Sequence, residues 1–151
     1  MTGKTSGSAD GTAATREIVP GMEAQSTACR VLVVDDEPLI RWAIAETLAA
    51  LGYSVVEAGD KESALQVLAE TSRPVDVILL DYRLPDSNNL ELLSTIRRMT
   101  PTSQVIMMTA QGTPDLNKGA LERGAYGVLN KPFEMGEMAG VVRHAYQGRP
   151  H

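Results

Sequence analysis

Cysteine occurs once in this chain, as Cys29. A lone thiol rules out an intrachain disulfide and a thiolate metal cage, and it gives no sign of an oxidising compartment. Cys29 itself reads as a small apolar residue entering a strand. Histidine occurs twice, as His144 and His151. Both read as exposed and uninvolved, which leaves zinc without its usual ligands. No run of lysine and arginine stands out, and the formal net charge is -5. That balance argues against a nucleic-acid binder working through bulk electrostatics, because a phosphate backbone demands a basic face. No apolar stretch approaches the roughly 20 residues needed to span a bilayer, and the N-terminus lacks the basic-then-apolar layout of a secretion signal. A cytoplasmic protein with no membrane contact is the expectation.

What is present suffices for one domain. A chain of 151 residues that is 43% apolar can fill one packed core and leaves little room for a second. Residues 1–28 are rich in Gly, Ser, Thr and Ala and read as a disordered tail, too poor in large side chains to offset the entropy of ordering. Residues 29–148 read as the folded domain and 149–151 as a short C-terminal tail. From Arg30 onward short apolar runs alternate with longer amphipathic stretches, the signature of an α/β domain with a parallel sheet. The runs are 31–34, 54–56, 77–80, 105–108 and 127–129, predicting five strands. Ile40, Ala43, Ile44, Leu48 and Leu51 recur at helical spacing and predict one buried stripe that stops at Gly52. Ala64, Leu65 and Leu68 mark a second helix, and Leu90, Leu93 and Ile96 a third. Met138, Val141, Val142 and Ala145 mark the last. Between the fourth and fifth strands, Gly112, Gly119, Gly124 and Gly127 interrupt a pattern anchored only by Leu116, Ala120 and Leu121. That helix is expected to be the loosest, either as an unremarkable surface helix or as a purposeful mobile element.

Polar residues cluster where strands end. Asp35 and Asp36 follow the first strand, Asp81 the third and Thr109 the fourth, while Lys131 closes the fifth. In an open parallel sheet these carboxyl ends share one edge, where such folds place ligands. One Asp after a strand is ordinary turn and capping chemistry. Three carboxylates, a hydroxyl and an ammonium on one edge is harder to obtain that way, because like charges repel and raise one another's pKa. Something cationic should occupy the middle. Hard oxygen ligands from two or three protein groups suit Mg2+, which keeps waters and takes phosphate oxygens as the rest of its shell. One carboxylate can then attack phosphorus while the ion, Lys131 and Thr109 stabilise the transferred group. Asp81 stands alone after the most apolar strand and is the candidate nucleophile; adjacent Asp35 and Asp36 suit a metal-holding pair.

At this point the chain resembles the receiver domains of two-component response regulators from Arg30 to about Gln147. The matching pieces are Val-Leu-Val-Val-Asp-Asp-Glu at 31–37, Leu-Leu-Asp-Tyr-Arg-Leu-Pro-Asp at 79–86, Met-Met-Thr-Ala at 107–110 and Asn-Lys-Pro-Phe at 130–133. The wording is most similar to receivers of enhancer-binding transcriptional regulators. The resemblance implies a flavodoxin-like, doubly wound, five-stranded parallel sheet of order 2-1-3-4-5 with helices on both faces. It implies phosphorylation of Asp81, with Asp36, Asp81 and the backbone carbonyl of Arg83 as direct Mg2+ ligands and Asp35 acting through a metal-bound water. Thr109 would follow the phosphoryl oxygens, Lys131 would pair with them, and Ala110 would keep the entrance open. A cis Lys131–Pro132 peptide is implied as well.

Two departures stand out. Asn88-Asn89 replaces the Asp-Gly of many receivers, a change the turn can survive because Asn tolerates positive φ. Val128 stands where the family usually has Tyr or Phe, three residues before the lysine, so activation without an aromatic rotamer change is expected. Tyr126 is expected to pack beneath the last helix, and Trp42 on the first. No turnover of an external substrate is expected beyond the domain's own phosphorylation and dephosphorylation. Since no effector module follows Pro132, no direct DNA binding is expected. The implied partners are a sensor histidine kinase, an unidentified downstream protein, and a second copy through the fourth helix, fifth strand and fifth helix. Met135 and Met138 could join that surface, though methionine at helical spacing is more often core filling. The alternatives are a degenerate, never phosphorylated interaction scaffold, or the receiver piece of a longer regulator.

Overall fold

The apolar runs form the strands β1 (Arg30–Val34), β2 (Ser54–Ala58), β3 (Val77–Asp81), β4 (Gln104–Thr109) and β5 (Gly127–Asn130). They alternate with α1 (Pro38–Ala50), α2 (Lys61–Ala69), α3 (Glu91–Met99), α4 (Pro114–Glu122) and α5 (Met135–Gln147). The computed structural model describes residues 28–148 apart from 71 and 88. The tails expected at 1–28 and 149–151 therefore lie, Ala28 excepted, outside the described residues, as do His151 and Asn88. All four strand pairings are parallel, and the order across the sheet is β2-β1-β3-β4-β5. This is the 2-1-3-4-5 order anticipated above.

A strand covered on both faces reads as a near-continuous apolar run, and β3 does from Val77 to Leu80; all five of its residues are buried, the last being Asp81 at the carboxyl end. Its two faces feed two cores. Ile78 and Leu80 join Leu32, Val105 and Met107 under α2 and α3, with Ala64, Leu68, Leu93 and Ile96 supplied by the helices. Val77 and Leu79 join Val31, Val33, Ile106 and Met108 under α1 and α5, with Ile44, Leu48, Met138 and Val142. Burial of each such aliphatic side chain contributes about 1.5–3 kcal/mol, so the sheet centre is where the fold is fixed. Cys29 is buried at the mouth of β1, as its apolar neighbours predicted.

Leu51, Trp42, Leu121 and Tyr126, all expected to pack, are exposed. Leu51 is 61% exposed rather than part of the α1 stripe. It lies one residue past the helix, beside Gly52 at φ +96, the left-handed turn that ends α1 before β2 begins. Trp42 is 59% exposed, because the buried face of α1 consists of Ile44, Ala45 and Leu48. Leu121 is exposed too, leaving Ala120 as the buried residue of α4. Tyr126 is 41% exposed rather than packed under α5. It precedes β5, its N–H donating to Val105 O at 2.7 Å, while the small Ala125 takes the buried place beside it. Met138 is fully buried and Met135 packs against the same core, so both fill the interior.

Candidate functional site at the carboxyl edge of the sheet

Strand register decides what meets at the edge. Val34 pairs with Leu80, Asp81 with Met108, and Thr109 with Asn130. The residues that end or follow these strands, Asp35, Asp81, Thr109 and Lys131, are thereby drawn into neighbouring positions. The Lys131–Pro132 peptide is cis, as anticipated. A cleft of about 340 Å3 opens above them, reached past Ala110 and bordered by Asp36 and Arg83.

Asp35 is fully buried, and its carboxylate is divided between two donors. Oδ1 accepts the Glu37 N–H at 2.9 Å, and Oδ2 accepts Lys131 Nζ at 2.8 Å. Neither oxygen caps a helix interior: α1 begins at Pro38 with no side-chain cap at all. Asp81 is also buried; its Oδ1 accepts the Arg83 N–H at 3.3 Å and its Oδ2 lies 3.3 Å from Lys131 Nζ. Asp36 is exposed at the rim, and one oxygen each from Asp35, Asp36 and Asp81 lie within 4.8 Å of one another. Thr109 is buried, its Oγ1 accepting the Gln111 N–H at 3.1 Å.

The electrostatics are lopsided. At that spacing each carboxylate pair repels by roughly 3–4 kcal/mol at an effective dielectric constant near 20. Burial pushes the Asp81 carboxyl up to about 6, and the charge of Asp35 adds to the rise against the pull of Lys131. Burial works against the Lys131 charge, but its hydrogen bond to Asp35 and the charges of Asp81 and Asp35 outweigh that and hold its pKa above the ordinary lysine value. One ammonium facing this group leaves negative charge uncompensated. Clustered hard oxygens with few protein donors fit a small divalent cation.

The structure thus brings Asp35, Asp36, Asp81, Thr109 and Lys131 to one cleft, with Arg83 on its border. Three further neighbours, of which sequence reasoning had placed only Arg41 near the acidic edge, make contacts it did not assign. Glu37 Oε1 lies 3.4 Å from Lys131 Nζ; its only signal was its place directly after Asp35-Asp36. Arg41 donates through Nη1 to Asp35 O at 2.7 Å and through Nε to Glu57 at 3.0 Å, bracing the end of β1. Gln111 Oε1 accepts Arg83 Nη2 at 2.9 Å, joining the segments after β3 and β4 across the cleft. The contacts of the latter two depend on tertiary approach and left no trace in the sequence.

Comparison with known proteins gives this edge its context. A family model described as the response regulator receiver domain matches residues 31–143. The chain belongs to the response regulator receiver domain family. As a receiver it is 35% identical over 119 residues to the DNA-binding transcriptional regulator NtrC of Azospirillum brasilense, covering 79% of this chain and 24% of that one. It is 36% identical over 120 residues to the response regulator protein PilR of Pseudomonas aeruginosa, covering 80% and 26%. The receiver therefore spans about a quarter of the length of these two relatives. Among solved structures, the receiver domain of NtrX from Brucella abortus superimposes with a TM-score of 0.71 at 32% identity, over 78% of this chain and 98% of that one. A CheY-like receiver from Methanospirillum hungatei gives a TM-score of 0.75 at 24% identity, a likeness of fold.

Proposed function

We propose that this receiver accepts a phosphoryl group on Asp81 from the phosphohistidine of a sensor histidine kinase, with Mg2+ in the acidic cleft, and signals through altered protein contacts. The observation that carries the reading is the Asp81 carboxylate, buried yet bordering the cleft, 3.3 Å from Lys131 and clustered with Asp35 and Asp36. Asp36, Asp81 and the backbone carbonyl of Arg83 are assigned as the cation's ligands, with Asp35 acting through a water. The ion, when bound, supplies positive charge opposite the phosphoryl oxygens.

The chain's own groups do the rest. An Asp81 carboxylate oxygen attacks phosphorus, the P–N bond breaks, and the leaving imidazole nitrogen keeps the bonding pair and takes a proton from solvent. The Lys131 ammonium neutralises charge on the transferred group. The Thr109 hydroxyl, whose oxygen now accepts the Gln111 N–H, turns to donate to a phosphoryl oxygen. Small Ala110 leaves the entrance open. That movement of Thr109 loosens the start of α4, and we place the output surface on α4, β5 and α5, with Leu121 exposed on α4 and Tyr126 exposed just before β5.

Incubation with Mg2+ and acetyl phosphate, followed by intact-mass measurement, tests the reading. One added phosphoryl group is expected on the wild type and none on Asp81→Asn. An unmodified wild type would favour a scaffold that is never phosphorylated.

A further inference from the structure

We propose that Asp86 is a positioning residue for the cation site, tying the segment that follows Asp81 to the N-terminus of α2 and thereby fixing the Arg83 backbone carbonyl. The inference rests on the cation reading above. Asp86 Oδ1 accepts the Lys61 N–H at 2.8 Å and Oδ2 the Glu62 N–H at 3.2 Å, reaching across 25 and 24 residues of sequence. Lys61 and Glu62 open α2, and the next N–H, that of Ser63, goes to Asp60 Oδ1 at 2.8 Å. The first turn of a helix has unpaired N–H donors, and one acidic N-cap is the usual remedy. Here α2 has that cap in Asp60. The second carboxylate comes from another loop, so it acts as a crosslink between elements as well as a cap. Both its bonds are charge-assisted and lie at the positive end of the helix.

The surroundings of Asp86 show why a crosslink matters. Residues 84–87 form a tight turn, closed by Leu84 N–H to Ser87 O at 2.6 Å and Ser87 N–H to Leu84 O at 3.2 Å. Leu84 is buried on one side of it. A polar cleft of about 450 Å3 opens beside it between α2 and α3, bordered by Lys61, Leu65, Asn89 and Thr95 and by the turn itself. The bonds from Asp86 cross the Lys61 end of this cleft to α2. Arg83 sits between this turn and Asp81, whose Oδ1 takes its N–H. Its carbonyl is therefore oriented from one end by the nucleophile and from the other by the turn that Asp86 anchors. Groups that orient metal ligands from behind affect cation affinity by about tenfold or more when removed.

Mn2+ titration of the full chain, followed by the electron paramagnetic resonance signal of the free ion, provides the test, with folding of each variant checked by circular dichroism. Asp86→Ala should weaken Mn2+ binding about tenfold. Asp86→Asn, which keeps one acceptor oxygen and is the milder change should the alanine variant fold poorly, should weaken it less. Asp60→Ala removes a cap from the same helix without touching the turn, and should leave Mn2+ affinity unchanged. With saturating Mg2+, acetyl phosphate labelling of Asp86→Ala should return to the wild-type rate, the mark of an affinity defect. A wild type that binds Mn2+ and an Asp86→Ala that binds it equally well would overturn the positioning role alone. Equal losses in Asp60→Ala and Asp86→Ala would also overturn it, because the effect would then be loss of α2 in general. A wild type that leaves the free Mn2+ signal unchanged would overturn the cation reading, and this inference with it.

Discussion

Lys131 Nζ lies 2.8 Å from the fully buried Asp35 carboxylate, and its removal is the most informative single change at the residue scale. Its pKa lies above the ordinary lysine value of 10.5, so its contribution is complete through the neutral range and is lost only as pH climbs past that value. Replacing it with Met strands a carboxylate of zero exposure. Breaking a buried pair from one side costs about 3–5 kcal/mol. Lys131→Met is therefore expected to lose about 3 kcal/mol in urea unfolding at pH 8. An unchanged midpoint at pH 8 would sink the claim. The same scale shows what sequence could and could not disclose. Asp35, Asp81, Thr109 and Lys131 were legible because each ends or follows an apolar run, which fixes both its edge and its neighbours. The bonds from Asp86 to Lys61 and Glu62 were not, since they depend on how two loops approach in space. Trp42 and Leu51 were misjudged because periodicity gives the direction of a helix face and not how far the sheet beneath it extends.

Among the elements, α4 and α5 differ in how their glycines are used. A Cβ at Gly119 in α4 would lie 2.9 Å from Leu90 Cδ1, so this glycine lets α4 approach the start of α3. Gly140 in α5 has nothing within 4 Å of that position. A helix-interior glycine costs about 1 kcal/mol relative to alanine. Gly140→Ala should therefore stabilise the protein by about 0.5–1 kcal/mol, and Gly119→Ala by less, because Leu90 must shift. Thermal unfolding that reversed this ranking would count against the packing role of Gly119. Of the three anchors expected in the glycine-interrupted fourth helix, Leu116, Ala120 and Leu121, only Ala120 is buried. Val128 packs partly buried against the core that Ala120 joins, with no aromatic ring at that position to change rotamer. Phosphorylation should accordingly shift backbone NMR resonances around Thr109 and through α4. A large change at Tyr126 with none in α4 would contradict that route.

For the whole molecule, the alternation of apolar runs and amphipathic stretches made the α/β class legible, and the family motifs supplied the strand order. Element ends and loop contacts were left to the tertiary structure. The fold has a cost at the carboxyl edge of its sheet. The Asp81 carboxyl, raised to about 6 by burial and then by the charge of Asp35, binds a proton more tightly when folded than when unfolded. The folded state then carries more protons between about pH 4 and 6, so stability without cation falls as pH rises through that window and stays reduced above it. Two pKa units correspond to roughly 3 kcal/mol, but the open cleft admits water, and about 1–2 kcal/mol is the appropriate expectation. Asp81→Asn removes the penalty. At pH 8 without divalent cation it should be more stable than the wild type by about 1 kcal/mol, with the difference vanishing near pH 4. On the proposed cation site Mg2+ should reverse the order, because a cation at 100 times its Kd would stabilise the wild type by about 2.7 kcal/mol, and the variant lacks one of the carboxylates assigned to it. Urea unfolding at the two pH values, each with and without Mg2+, reads all of these differences. Equal stabilisation of both proteins by Mg2+ would mean that the ion binds away from Asp81, and the strain at this edge would then have no part in the chemistry.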